Sequence, residues 1–124
     1  MGRLIVVSNR LPVSVDRVEG RLRVQRSSGG LVSALEPILS RTEGCWIGWP
    51  GTELTPEVLL RLQNRDSASY QLSPVSLTSE EVNGYYHGCA NSVLWPLFHG
   101  FTSACRFDPD FWECYQSVNL RFAD

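Results

Sequence analysis

The sequence predicts an α/β fold, a mostly parallel sheet with an antiparallel hairpin after its first strand. Three observations point there. A run of branched apolar residues, Leu4-Ile5-Val6-Val7, closes on polar Ser8-Asn9-Arg10, the pattern of a strand buried on both faces. Apolar and polar residues then alternate over 11–17 and 21–26 around Val18-Glu19-Gly20, as in a hairpin with one exposed face. Beyond it, strand-like runs alternate with segments of helical period, as in a parallel sheet crossed by helices.

Each later element has its own signal. Ser27-Ser28-Gly29-Gly30 precedes Leu31, Leu35, Ile38 and Leu39 at helical spacing, so the serines and glycines sit at a helix N-terminus. Gly44-Cys45-Trp46-Ile47-Gly48-Trp49 reads as a second strand entering the Pro50-Gly51 loop. Residues 55–65 form a helix with Thr55 as N-cap and Pro56 in its first turn. A third strand spans 70–75, and a long helical region opens at Thr78-Ser79-Glu80-Glu81 and runs to about residue 94. The last helix, 109–123, is capped by Asp108. Three strands are few for a doubly wound sheet, so the chain reads as the first part of a larger domain.

Composition excludes several functions. With 43% hydrophobic and 19% charged residues in 124, the chain is an ordinary globular protein of one domain at most. A formal net charge of −2 gives no basic field for nucleic acid or anionic membranes. Every basic residue is Arg, which removes lysine chemistry and leaves phosphate binding to Arg or backbone. Cys45, Cys89, Cys105 and Cys114 form no C-x-x-C pair, and with His87 and His99 they show no zinc spacing, so no metal or cofactor is expected. The only early apolar run is too short for a signal peptide and nothing approaches a membrane span; a cytoplasmic chain with reduced cysteines is expected. Neither a dinucleotide glycine fingerprint nor a P-loop is present, which disfavours a nicotinamide or flavin protein.

Chemistry gathers at a few places. Ligands of open α/β sheets bind beyond the carboxyl ends of strands, where Ser8-Asn9-Arg10 lies; Arg10 is there either a bidentate anion grip or a surface arginine capping a strand end. Ser28-Gly29-Gly30 is either a simple turn or a phosphate cradle at a helix N-terminus. The segment from Tyr85-Tyr86-His87 to Trp95-Pro96 pairs apolar faces with hydrogen-bonding edges, as sugars require, and equally suits a packed aromatic core. Neither His87 nor His99 has a carboxylate partner in sequence. Apart from Trp46, Trp49 and Tyr70, every aromatic residue follows residue 84, a cluster that needs a core or a partner.

Five blocks carry a resemblance: Arg3-Leu-Ile-Val-Val-Ser-Asn-Arg-Leu-Pro12, Ser28-Gly-Gly-Leu31, Trp46-Ile-Gly-Trp-Pro-Gly51, Tyr85-Tyr-His-Gly-Cys-Ala-Asn-Ser-Val-Leu-Trp-Pro-Leu-Phe-His99 and Trp112-Glu-Cys-Tyr-Gln-Ser-Val-Asn119. In this order they resemble the N-terminal part of the trehalose-6-phosphate synthase family. The resemblance implies a retaining glycosyltransferase with two facing Rossmann-like domains, the GT-B arrangement. Such an enzyme moves glucose from UDP-glucose to glucose 6-phosphate without a metal. Residues 1–124 would form the N-terminal portion of the acceptor-binding domain, with the nucleotide-sugar domain absent. By the same resemblance Arg10 matches the arginine holding the acceptor phosphate, Tyr86, Trp95 and Trp49 match residues of the glucose 6-phosphate pocket, and Gly29 and Gly30 match the glycine loop at the donor diphosphate. Where the family usually has an aromatic residue this chain has Cys89.

The family's groups that neutralise the departing UDP lie downstream of Asp124, so the resemblance predicts an isolated chain without activity and without catalytic residues of its own. The same arginine would serve a glucosylglycerol-phosphate synthase, whose acceptor is glycerol 3-phosphate. A non-catalytic sugar-phosphate-binding or assembly module is the alternative outside catalysis. An uncovered sheet edge and aromatic surface also predict a homo-oligomer or marginal stability.

Overall fold

The computed structural model describes residues 2–65 and 69–124. Two compact units divide the chain, Met1–Ser76 and Leu77–Asp124.

In the first unit, β1 (Ile5–Arg10) is followed by β2 (Val13–Val18) and β3 (Arg21–Arg26), which pair antiparallel. Their turn places Glu19 and Gly20 at φ 50° and 75°, the left-handed pair of a two-residue hairpin turn. Helix α1 (Gly30–Arg41), strand β4 (Cys45–Trp49), helix α2 (Pro56–Gln63) and strand β5 (Gln71–Pro74) follow. The sheet order is β1-β4-β5, parallel throughout, with Val6, Trp46 and Leu72 in register. This is the predicted α/β class, with a parallel sheet and a separate antiparallel hairpin.

Val6, Trp46 and Leu72 share the face that packs on the core of Leu11, Val13, Val15, Val32, Leu39, Val58, Leu62 and Tyr70. One expectation fails here. β1 is covered on one face only: Val6 is turned to the core, whereas Ile5 and Val7 are 58% and 56% exposed. Successive strand residues point to opposite sides, so a single covering layer buries only every second one. The strand also runs to Arg10, taking Ser8-Asn9-Arg10 into its carboxyl end, with a register shift between Val7 and Arg10.

The second unit is helical. Helix α3 (Ser79–Val82) starts at a capping box in which the Thr78 hydroxyl accepts from the Glu81 amide and the Glu81 carboxylate accepts from the Thr78 amide. It continues into a π-helical segment, Asn83–Leu94, and helix α4 (Trp95–Phe98). The backbone is helical at both junctions, Asn83 and Trp95. After a short 3₁₀ turn comes α5 (Pro109–Ala123), capped by the Asp108 carboxylate on the Asp110 amide. Two glycines let α5 approach the π segment closely: a Cβ on Gly84 would fall 2.6 Å from Cys114 Sγ, and one on Gly88 2.6 Å from the Phe111 ring. Val82, Tyr85, Cys89 and Val118 are buried, whereas Phe98, Phe101, Phe107 and Trp112 remain exposed, so the aromatic cluster is partly core and partly surface. Among the described residues no helix is long and apolar enough to cross a membrane.

Candidate functional site

The carboxyl ends of β1 and β4 lie side by side, with Arg10 paired to Trp49. A chain of hydrogen bonds fixes the end of β1. Buried Trp46 donates its Nε1–H to Ser8 Oγ at 2.8 Å, and that hydroxyl donates to the Arg10 carbonyl at 2.7 Å. The Leu11 amide then donates to the Trp49 carbonyl at 2.9 Å.

From this anchored backbone the Arg10 guanidinium lies over the Trp49 ring, 5.3 Å from its centroid, and donates to Ser14 Oγ at 3.4 Å. Ser14 Oγ is 3.4 Å from Ser27 Oγ, and the Ser27 amide is tied to the Pro12 carbonyl at 2.8 Å. Ser27 stands two residues ahead of Gly29, the N-cap of α1. Arg10, Trp49 and the glycine turn are thus linked within the first unit.

The electrostatics favour an anion. Arg10 is exposed, and among the described residues no carboxylate lies within 4.0 Å of its guanidinium; Arg17 and Arg26, by contrast, pair with Glu57 and Glu36. No side chain caps the α1 N-terminus and no acidic residue stands in its first turn. Gly29 has extended backbone, and a Cβ on Gly29 or Gly30 would meet nothing within 4 Å. Neither needs to be glycine for the chain's own packing. Their bareness leaves the first N–H groups of the helix open to a ligand at its positive end. Trp49 Nε1 is buried and has no hydrogen-bond partner among the described residues.

Tyr86 and Trp95 belong to the second unit. Tyr86 is half-buried in the π segment, its ring edge-on to His87 at 5.2 Å. Trp95 is 55% exposed and stacks on His99 at 4.0 Å, whose Nδ1 lies 2.7 Å from the Trp95 carbonyl. In an α-helix of about 3.6 residues per turn, positions 86 and 95 stand on opposite sides. With i→i+5 bonding and about 4.4 residues per turn, they come to nearly the same side. Neighbouring Tyr85 is pushed up to about 12, first by burial and then by Tyr86 and Tyr115, so its phenol stays protonated. Cys89 is buried, and burial raises its thiol. Among the described residues no group of three His, Cys, Asp or Glu side chains could hold a metal ion.

The glycine flanking this site was not singled out by the sequence. Gly51, at φ +85°, lies so close to Arg10 that a Cβ there would fall 2.4 Å from the guanidinium carbon. The Pro50-Gly51 pair marked a turn, and nothing in it pointed to an arginine packed on its backbone.

Comparison with known proteins gives a consistent picture. The family model described as Glycosyltransferase family 20 matches residues 2–124. An alpha,alpha-trehalose-phosphate synthase [UDP-forming] from Emericella nidulans is 43% identical over 122 residues, covering 98% of this chain and 24% of the relative. A trehalose-6-phosphate synthase from Mycobacterium sp. (strain JLS) is 40% identical over 121 residues, 97% of this chain and 24% of the relative. Among solved structures, an alpha,alpha-trehalose-phosphate synthase (UDP-forming) from Burkholderia vietnamiensis superimposes with a TM-score of 0.73 at 32% identity, covering 99% of this chain and 24% of that one. The Burkholderia xenovorans enzyme in complex with glucose-6-phosphate gives 0.68 at 27% identity, over 98% of this chain and 24% of that one. The chain therefore spans about a quarter of the length of the relatives it matches.

Proposed function

Because the chain belongs to glycosyltransferase family 20, we propose that it works as the N-terminal part of a trehalose-6-phosphate synthase, transferring glucose from UDP-glucose to glucose 6-phosphate. In this reading residues 1–124 are the N-terminal portion of the acceptor-binding Rossmann-like domain of a GT-B enzyme. The observation that carries it is Arg10: an exposed guanidinium without a carboxylate partner among the described residues, at the carboxyl ends of two parallel strands. Arg10 grips the acceptor's phosphate through paired charge-assisted hydrogen bonds. Tyr86 and Trp95 hold the acceptor sugar. The open N–H groups at Gly29 and Gly30 face the donor's diphosphate, where the helix dipole favours negative charge.

The work of these residues is positioning and electrostatic stabilisation. No nucleophile or general base is assigned in this segment, and its transfer depends on the rest of the enzyme. The relatives named above are all trehalose-phosphate synthases, which favours glucose 6-phosphate over glycerol 3-phosphate as acceptor. This reading places the site in the cytoplasm. The exposed Ile5 and Val7 on the sheet face support self-association of the isolated chain, to be read by sedimentation.

The test is a chimera in which this chain replaces the matching stretch of the Emericella nidulans relative, assayed for UDP release. Turnover with glucose 6-phosphate and not with glycerol 3-phosphate is expected. A folded chimera that releases UDP only with glycerol 3-phosphate would overturn the acceptor assignment, and one silent with both would overturn the function.

A further inference from the structure

Arg10 is held on three sides before any ligand arrives. The Trp49 ring lies under the guanidinium, with 5.3 Å to the ring centroid. The Gly51 backbone closes on it at φ +85°, so near that a Cβ would stand 2.3 Å from one terminal nitrogen, 2.4 Å from the guanidinium carbon and 2.9 Å from Nε. Ser14 Oγ takes one N–H at 3.4 Å and is itself 3.4 Å from Ser27 Oγ. An exposed arginine normally samples many rotamers, and freezing it at the moment of binding weakens the complex.

We propose that Gly51 and Ser14 are positioning residues for Arg10: with the Trp49 ring they form a slot that presents the guanidinium, already oriented and still carrying its full charge, to a phosphate. This deepens the reading of Arg10 as a phosphate grip and rests on it. Gly51 serves by having no side chain, since any Cβ would occupy the space of the guanidinium, and its positive φ disfavours other residues. Ser14 serves because it is neutral. A carboxylate at its place would orient Arg10 equally well and would also cancel the charge that an anion needs. The hydroxyl pair further ties the slot to the segment leading into the open N-terminus of α1.

The test uses the 124-residue chain with two readouts. The first is the Arg10 Nε–H resonance in a proton–nitrogen correlation spectrum, which the indole face shifts upfield without any ligand present. The second is the affinity for inorganic phosphate and for glucose 6-phosphate by titration. In Gly51→Ala the resonance should move toward its unshifted position and phosphate affinity should fall about tenfold, as expected when a preorganised contact is lost. Ser14→Ala should weaken binding by a smaller factor, Ser14→Asp by more than Ser14→Ala, and Ser14→Thr should restore both resonance and affinity. Those three keep the test valid if Gly51→Ala does not fold. Wild-type resonance and affinity in Ser14→Ala, with Ser14→Asp binding phosphate as well as Ser14→Ala, would overturn the inference while leaving Arg10 as the grip. Undiminished phosphate binding by Arg10→Ala would instead overturn the functional reading and the inference with it.

Discussion

Replacing Gly48 by Ala should disturb the site from beneath, and the size of the effect follows from three contacts. A Cβ at Gly48 would lie 2.8 Å from the Leu11 amide nitrogen, 2.9 Å from the Arg10 carbonyl carbon and 3.0 Å from the Ser8 carbonyl oxygen, where ordinary contact begins at 3.4 Å. All three are backbone atoms of the segment that ends β1 and turns toward β2, so no flexible side chain can swing away. Overpacking of this kind costs about 1–3 kcal/mol, and rigid neighbours place it in the upper part of that range. Alanine recovers about 0.5–1 kcal/mol of the backbone entropy that glycine loses in a strand. The net loss is about 1–2 kcal/mol, which for a unit of this size lowers Tm by roughly 5–15 °C.

Thermal unfolding followed by tryptophan fluorescence measures it, because Trp46, on the same strand as Gly48, is buried in the core. Gly29→Ala is the control: a Cβ there meets nothing within 4 Å, so only the small loss of replacing a glycine N-cap by alanine is expected, well below the effect at Gly48. The Gly48 variant should also move the Arg10 resonance, since the Ser8–Arg10 hydrogen bond must shift with the backbone. Equal melting of Gly48→Ala and Gly29→Ala, with Arg10 unmoved, would refute the reasoning.

Leu39, fully buried in the core of the first unit, should cost about 2–5 kcal/mol when cut to Ala, measured by urea unfolding. Glu81 is held below the usual carboxylate range, first by its hydrogen bond to Arg121, with the Thr78 amide adding to it and partial burial opposing. A depressed carboxylate stabilises the fold above its unfolded pKa and loses that contribution as pH falls through the folded value. Melting of the second unit should therefore drop below about pH 4, and Arg121→Ala should flatten that dependence. Burial raises the Cys89 thiol, with a smaller contribution from Cys114, so alkylation of Cys89 at neutral pH should be slow until the chain is unfolded, as mass spectrometry would show.

Much of the fold was legible because its boundaries are written in local chemistry. Thr55-Pro56, Thr78 with Glu81, and Asp108-Pro109 each cap the helix they precede, and Glu19-Gly20 makes the hairpin turn. Short-range signals of this kind survive without knowledge of the partner elements. The burial of β1 was misjudged for the opposite reason: an apolar run shows that residues avoid water, and which face is covered depends on the layers packed there. Ile5 and Val7 remain exposed although they match Val6 in character.

The same limit applied to the site. Arg10 could be singled out at the end of a strand, but its contact with Ser14 of β2 and with Gly51 in the loop after β4 depends on the register of β1 and β4, which no spacing in the sequence encodes. The π winding of Asn83–Leu94 was also hidden, since an apolar pattern of helical period is ordinarily read at 3.6 residues per turn. At an ideal π pitch positions 86 and 95 fall toward one side, which a 3.6-residue period would not suggest.

The role of Arg10 is tested most directly by Arg10→Ala in the chimera, with separate KM values for the two substrates. Losing a bidentate hydrogen bond to a charged group costs about 1.5–3 kcal/mol, so the KM for glucose 6-phosphate should rise roughly 10–150-fold. The KM for UDP-glucose should stay within about twofold, because in the proposed reading the donor meets the glycine turn rather than the guanidinium. An unchanged acceptor KM, or a rise confined to the donor, would contradict the assignment of Arg10 as the phosphate grip.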